Sequence, residues 1–77
     1  MIKKSIRFTS INDIKDFVNI TMKQPFDIDL IAGRYTADAK SILSVFGLAM
    51  DGEVTLGIHA GEEKASAYLT GIRRFLV

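Results

Sequence analysis

The sequence predicts an α+β fold, a two-layer sandwich with helices on one face of a four-stranded antiparallel sheet. Two observations carry this. Short segments alternate apolar and polar residues, so each strand has one dry face and one wet face. Between them lie segments whose apolar residues recur at helical spacing, giving one stripe per helix. The order along the chain is β-α-β-β-α-β-α. Helices with a single apolar stripe must be laid on the one apolar face of such a sheet.

Residues 2–8 form the first strand, with Ile2, Ile6 and Phe8 on one face and Lys3, Ser5 and Arg7 on the other; Lys4 interrupts the apolar side. Ser10 followed by Asp13 makes a capping box with Asp in place of Glu. Ile11, Ile14, Phe17, Val18 and Met22 then mark an amphipathic helix over 11–23, which Pro25 stops. Phe26, Ile28 and Leu30 alternate with Asp27 and Asp29 in a second strand, and Ala32-Gly33 turns the chain into a partner strand at 34–37. A short helix at 41–49 opens with Ser41, a capping-type residue. Asp51-Gly52 reads as a turn, and Val54, Leu56 and Ile58 mark a fourth strand at 53–59. The last helix is expected over 62–76, with Ala65, Leu69, Ile72 and Leu76 as its stripe, widened by Tyr68 and Phe75. Glu62 and Glu63 in its first turn and Arg73 and Arg74 in its last would match the helix dipole at both ends. Arg7, Asp27, Asp29 and Thr55 are expected on the wet face of the sheet.

Composition narrows the function. A chain of 77 residues is a single domain, 1–77, with room for one core but not for a deep buried active site as well. Cysteine is absent, which removes disulfides and thiolate chemistry and suits a reducing cytoplasm. The formal charge of +1, with acids and bases interspersed, argues against an electrostatic grip on nucleic acid. No apolar run approaches the roughly 20 residues of a membrane span, and no secretion leader is read at the start. No metal or cofactor is expected, because no cluster of ligand residues or phosphate-binding glycine loop is present. Asp27 and Asp29, with Asp38 and Asp51 elsewhere, read as solvated carboxylates, and Lys3, Lys4, Arg7, Arg73 and Arg74 as solvated bases.

The element order, together with Lys40-Ser41-Ile42-Leu43-Ser44-Val45-Phe46-Gly47-Leu48-Ala49 before the fourth strand, resembles HPr. HPr is the small phosphocarrier protein of the bacterial sugar phosphotransferase system. The likeness is strongest from Phe26 to Leu76, and the Lys-Ser-Ile segment is its most specific part. It implies the open-faced sandwich of that family. It also implies that Ser41 occupies the place of a regulatory phosphorylation site, and that Ile42, Leu43 and Phe46 form a partner-binding patch. The family's phosphoryl-bearing histidine stands at the start of the first helix in a Gly-Ile-His-Ala-Arg-Pro type motif. Here the helix start reads Thr9-Ser10-Ile11-Asn12-Asp13-Ile14, so Ser10 takes the histidine's place and Asn12 and Asp13 those of the arginine and proline. A serine phosphoester is a poor donor, Asn lacks the bidentate fork of a guanidinium, and Asp would repel the phosphoryl group. Gly57-Ile58-His59-Ala60 spells the opening of that motif at the wrong place, the end of the fourth strand, and Gly61-Glu62 follows it. His59 reads there as an ordinary histidine at a strand end.

Three functions are compatible with these residues. The preferred one is a non-catalytic HPr-like domain that binds a protein of the phosphotransferase or carbon-regulation network through the 41–49 surface. The second is a carrier or regulatory protein controlled by phosphorylation of Ser41, where a phosphate would meet the free amides and positive dipole end of a helix, with Lys40 beside it. The third is a structural module in which the apolar patch around Phe46 makes a homodimer. The bland alternative for Ser41 is a plain helix cap. For Ile42, Leu43 and Phe46 it is burial in the domain's own core, expected for at least one or two of them.

Overall fold

The structure, a computed structural model, describes residues 1–49 and 52–77. It shows the expected order: β1 (Ile2–Ile6), α1 (Ile11–Met22), β2 (Ile28–Ala32), β3 (Tyr35–Asp38), α2 (Ile42–Ala49), β4 (Val54–Ile58) and α3 (Glu62–Gly71), followed by a 3-10 turn at Arg73–Phe75. The four strands form one antiparallel sheet in the order β1-β4-β2-β3. Asp51 lies outside the described residues, so the turn read at Asp51-Gly52 is only partly described.

The sheet is one-sided. Ile6, Ile28, Leu30, Val54, Leu56 and Ile58 are buried beneath the helices, while Asp29, Thr55 and Ile31 lie on the other face by alternation. β4 sits between β1 and β2, with Ile58 opposite both Ile2 and Ile28. β1 ends at Ile6 rather than Phe8, and just beyond it the Arg7 N–H, on the side away from β4, donates to the Phe75 carbonyl 2.8 Å away. The β2–β3 hairpin turns on Gly33-Arg34, and Gly33 has φ +61° while Arg34 does not enter the left-handed region. A single positive φ at the first central residue is the signature of a II′ turn, which a Cβ would strain.

The helices bury a slightly different set of residues from the one the spacing predicts. In α1, Ile14, Phe17, Val18 and Thr21 are buried, whereas Ile11 and Met22 are 50% and 59% exposed. Thr21 takes the position expected for Met22, and its hydroxyl is satisfied by a 2.7 Å hydrogen bond to the Tyr68 hydroxyl of α3. Phe8, Phe17 and Phe75 form an aromatic cluster with ring centroids 5.0 to 6.0 Å apart, in edge-on and tilted arrangements favoured by the ring quadrupole.

The expected helix over 62–76 is not continuous. α3 stops at Gly71, and the chain then tightens into the 3-10 turn. Stopping there brings Phe75 into the aromatic cluster and lets Leu76 bridge Ile6. A straight helix through this segment would forgo both contacts. Glu62 and Glu63 do stand in the first turn of α3, but Arg73 and Arg74 lie beyond its end, so its last turn carries no basic residue. Arg74 instead bonds Asp16 of α1 at 2.7 Å, with its guanidinium 4.5 Å from the centre of the Phe75 ring.

The Thr21–Tyr68 pair yields two measurable expectations. Tyr68→Phe leaves a buried hydroxyl without a partner and should cost about 1–3 kcal/mol by chemical denaturation. The double variant with Thr21→Val should lose less than the sum of the single variants. Burial also pushes the Tyr68 phenol up from 10.0 to about 12. Between those values the unfolded chain releases the proton while the folded chain keeps it. Stability should therefore be intact below pH 10 and fall from there toward pH 12, with a slope that Tyr68→Phe flattens.

Candidate functional site

The start of α1 is built from hydroxyls and a carboxylate. Ser10, in extended conformation, caps the helix by accepting the Asp13 N–H at 3.2 Å. The Asp13 carboxylate reaches back one residue further than a capping box requires and accepts both the Thr9 hydroxyl, at 2.8 Å, and the Thr9 N–H, at 3.1 Å. These bonds hold the Asp13 carboxyl below the usual carboxylate range, the hydroxyl bond contributing most. A depression of about 210 Å³ beside Ser10 runs between Phe8, Ile11 and Ile14 on one side and Ala49 of α2 on the other. Ile11, expected in the core, stands exposed at this depression. An anion entering here would meet a hydroxyl already used as a cap and a fixed negative charge.

The second region is α2, eight residues without a charged side chain. A helix this short sends few side chains into the core, and Val45 and Ala49 are the ones buried. Ile42, Leu43 and Phe46 are 43%, 83% and 38% exposed, so the expected burial of one or two of them is not observed. The Ser41 carbonyl accepts the first helical bond, from Val45 N–H at 2.9 Å, which makes Ser41 the backbone cap. Among the described residues its hydroxyl makes no capping bond of the kind Ser10 makes. Upstream, Asp38 fixes the approach: its Oδ1 accepts Lys40 N–H at 2.9 Å and its carbonyl accepts Ser41 N–H at 3.1 Å. The Lys40 ammonium does not lie over Ser41; it donates to the Gln24 carbonyl, 2.8 Å away, near the end of α1.

The third region surrounds His59. Its Nε2 lies 2.7 Å from Asp29 Oδ2, and its N–H donates to the Asp27 carbonyl at 3.0 Å. This pair was not readable from spacing, because the two residues are brought together only by the β2–β4 register that sets Ile28 opposite Ile58. A cavity of about 460 Å³ opens beside the imidazole toward the start of α3, with Phe26 at one wall and Glu62 and Glu63 at the other. Lys64 also lines it, but the two carboxylates outnumber that one ammonium and disfavour anions. Ser10 and His59 lie at opposite ends of the sheet, since β1 pairs Ile6 with Val54 at the first end and Ile2 with Ile58 at the second. Among the described residues no group of three His, Cys, Asp or Glu side chains could hold a metal ion. No helix among them is long and apolar enough to cross a membrane. Arg7 and Arg74 face Glu53 and Asp16, at 3.5 and 2.7 Å, rather than forming a basic patch.

The class that this arrangement defines is the HPr-like open-faced sandwich. HPr-C-His from Thermoanaerobacter tengcongensis is similar over 95% of this chain and 92% of its own, with a TM-score of 0.72 and 22% sequence identity. The histidine-containing phosphocarrier protein of a Mycoplasma is similar over 95% of this chain and 89% of its own, with a TM-score of 0.73 and 20% identity. At these identities the likeness shows the fold. At the level of sequence, no family model matches the chain and no curated relative is found.

The two helix starts should respond differently to substitution. Ser10→Ala removes a side-chain cap and should cost about 1 kcal/mol in denaturant unfolding. Leu43→Ser, at the most exposed position of α2, should stay within about 0.5 kcal/mol of the parent.

Proposed function

We propose that this chain is a non-catalytic HPr-like protein. It binds a protein partner of the sugar phosphotransferase or carbon-regulation network through the α2 surface and transfers no phosphoryl group from histidine. The observation that carries this reading is the joint exposure of Ile42, Leu43 and Phe46 on a helix without charge. Adjacent aliphatic and aromatic groups held in water mark interaction sites more often than accidents of packing. The fold shared with two phosphocarrier proteins supports the choice of network. The hydroxyl of Ser10, committed to capping where the resemblance would place the histidine, supports the loss of transfer chemistry. Such partners place the protein in the cytoplasm.

The test pairs the purified protein with the general phosphotransferase enzyme of its host and labelled phosphoenolpyruvate. The protein should bind but stay unlabelled, and Leu43→Asp should weaken binding roughly tenfold or more while leaving the fold intact. An acid-labile label on His59, or an affinity indifferent to Leu43→Asp, would overturn the reading.

A regulatory role for Ser41 has its own support, because its hydroxyl lies at the start of α2 without the capping bond that occupies Ser10. Phosphate there would meet the unpaired amides of the first turn and the positive end of the dipole. Labelling by a serine kinase of the same network should disappear in Ser41→Ala and persist in Ser44→Ala.

A further inference from the structure

The sheet has two outer strands, and they are not equally protected. The far side of β1 is partly covered by the chain's own end. Arg7 N–H donates to the Phe75 carbonyl at 2.8 Å, Val77 N–H to the Ser5 carbonyl at 3.1 Å, and Leu76 bridges Ile6. Lys3 and Lys4 mark the rest of that strand, and lysine on an edge discourages pairing. Among the described residues β3, the other outer strand, has neither device. Its register with β2 runs without a bulge from Ala32 opposite Tyr35 to Asp29 opposite Asp38. Tyr35, Thr36 and Ala37 carry no charge, and the strand contains no proline.

The register also fixes which backbone groups of β3 are free. Ala39 N–H donates to the Ile28 carbonyl at 2.9 Å. Antiparallel ladders alternate, so Ala37 and Tyr35 also turn their backbone groups toward β2. Thr36 turns both of its groups outward and Asp38 its N–H, the Asp38 carbonyl being taken by the Ser41 N–H at 3.1 Å.

We infer that β3 pairs antiparallel with β3 of a second copy of this chain, about a two-fold axis at Thr36. In that register Thr36 exchanges backbone bonds with the partner's Thr36, and Tyr35 faces the partner's Ala37. Arg34 lies across from the partner's Asp38, and the symmetry repeats the pair. Charge selects this alignment. A shift toward one end leaves the two charges unmatched, and a further shift sets Arg34 against Arg34 or Asp38 against Asp38, which is destabilising. The centred register alone matches opposite charges, and it does so with a copy of the same strand. That self-complementarity is what a closed two-fold contact requires. It also covers Tyr35, an aromatic side chain 68% exposed beside the half-buried Ala37.

Sedimentation over a concentration series tests this. The mass should rise from 8.5 kDa toward twice that value. Thr36→Pro removes an N–H that faces away from β2, so the domain should keep its circular dichroism spectrum and remain a monomer. Arg34→Asp and Asp38→Arg each set like charges across the axis and should weaken self-association roughly tenfold. An equimolar mixture of those two variants restores both opposite-charge pairs and should sediment as a heterodimer. The inference is overturned if the parent stays at 8.5 kDa up to millimolar concentration, or if a dimer survives both Thr36→Pro and Arg34→Asp. It is equally overturned if only Phe46→Asp abolishes the dimer, since that assigns the contact to α2. Of these outcomes only the Phe46→Asp one touches the α2 surface; the others leave partner binding through α2 to the labelling and affinity assay.

Discussion

Everything in this fold follows from the position of β4. The last strand of the chain is inserted between the first and the second, pairing with β1 from Ile2–Ile58 to Ile6–Val54 and with β2 from Ile28–Ile58 to Ile31–Thr55. Its inward residues Val54, Leu56 and Ile58 are among the most buried in the chain. On the opposite face, Gly57 lies beneath the side chain of Met1. A Cβ there would come within 2.6 Å of the Met1 sulfur, so a larger residue would have to displace it. Because β4 is central, β3 is driven to the rim, His59 is carried to Asp29, and the chain end reaches the free side of β1. The exposed rim strand, the His59–Asp29 pair and the covered edge of β1 are thus consequences of one strand's placement.

The core is closed by a few long-range contacts that local patterning does not encode. Alternation in β2 and β4 was legible because a one-sided strand must alternate whatever it pairs with. The Ser10 cap was legible for a similar reason, since its bond to the Asp13 N–H joins residues three apart, although the Asp13 carboxylate closes on Thr9 rather than on the Ser10 N–H of a full capping box. The burial of Thr21 in place of Met22 was not, because it depends on a tyrosine hydroxyl 47 residues away. Hydropathy ranks Met above Thr, yet a satisfied hydroxyl is tolerated inside while a flexible thioether at the helix end can stay in water. The interruption after Gly71 escaped the pattern for the same reason. Ile72, Phe75 and Leu76 keep a helical spacing, but Phe75 is drawn to Phe8 and Phe17, and Leu76 to Ile6.

The candidate surface on α2 was readable in kind, though not in extent. An uncharged eight-residue helix between two strands has more apolar side chains than its core-facing side can take. Which of them stay outside depends on how the helix rotates over the sheet. With Val45 and Ala49 turned inward, Ile42, Leu43 and Phe46 are all left at the surface. Ile11 adds to the apolar exposure near the other end of α2, where Ala49 and Ile11 share one depression. The exposed groups therefore extend beyond the Lys-Ser-Ile segment, although the Ile11 position reads as core by spacing alone.

The chemistry of the two helix starts separates recognition from transfer. Moving a phosphoryl group through an imidazole needs the ring, donors for the phosphate oxygens and an approach free of fixed negative charge, all at one place. At α1 the donors of the first turn are present, but Ser10 and Asp13 fill the approach with a cap and a carboxylate whose pKa is lowered by Thr9. At His59 the ring is present, but Asp29 holds one nitrogen and Glu62 and Glu63 line the adjoining cavity. The sheet's length lies between the two, and no rotation of side chains brings them together. The residues of α2 have no such conflict. A surface of aliphatic and aromatic groups needs only to be covered, and the stability of the domain does not depend on what covers it.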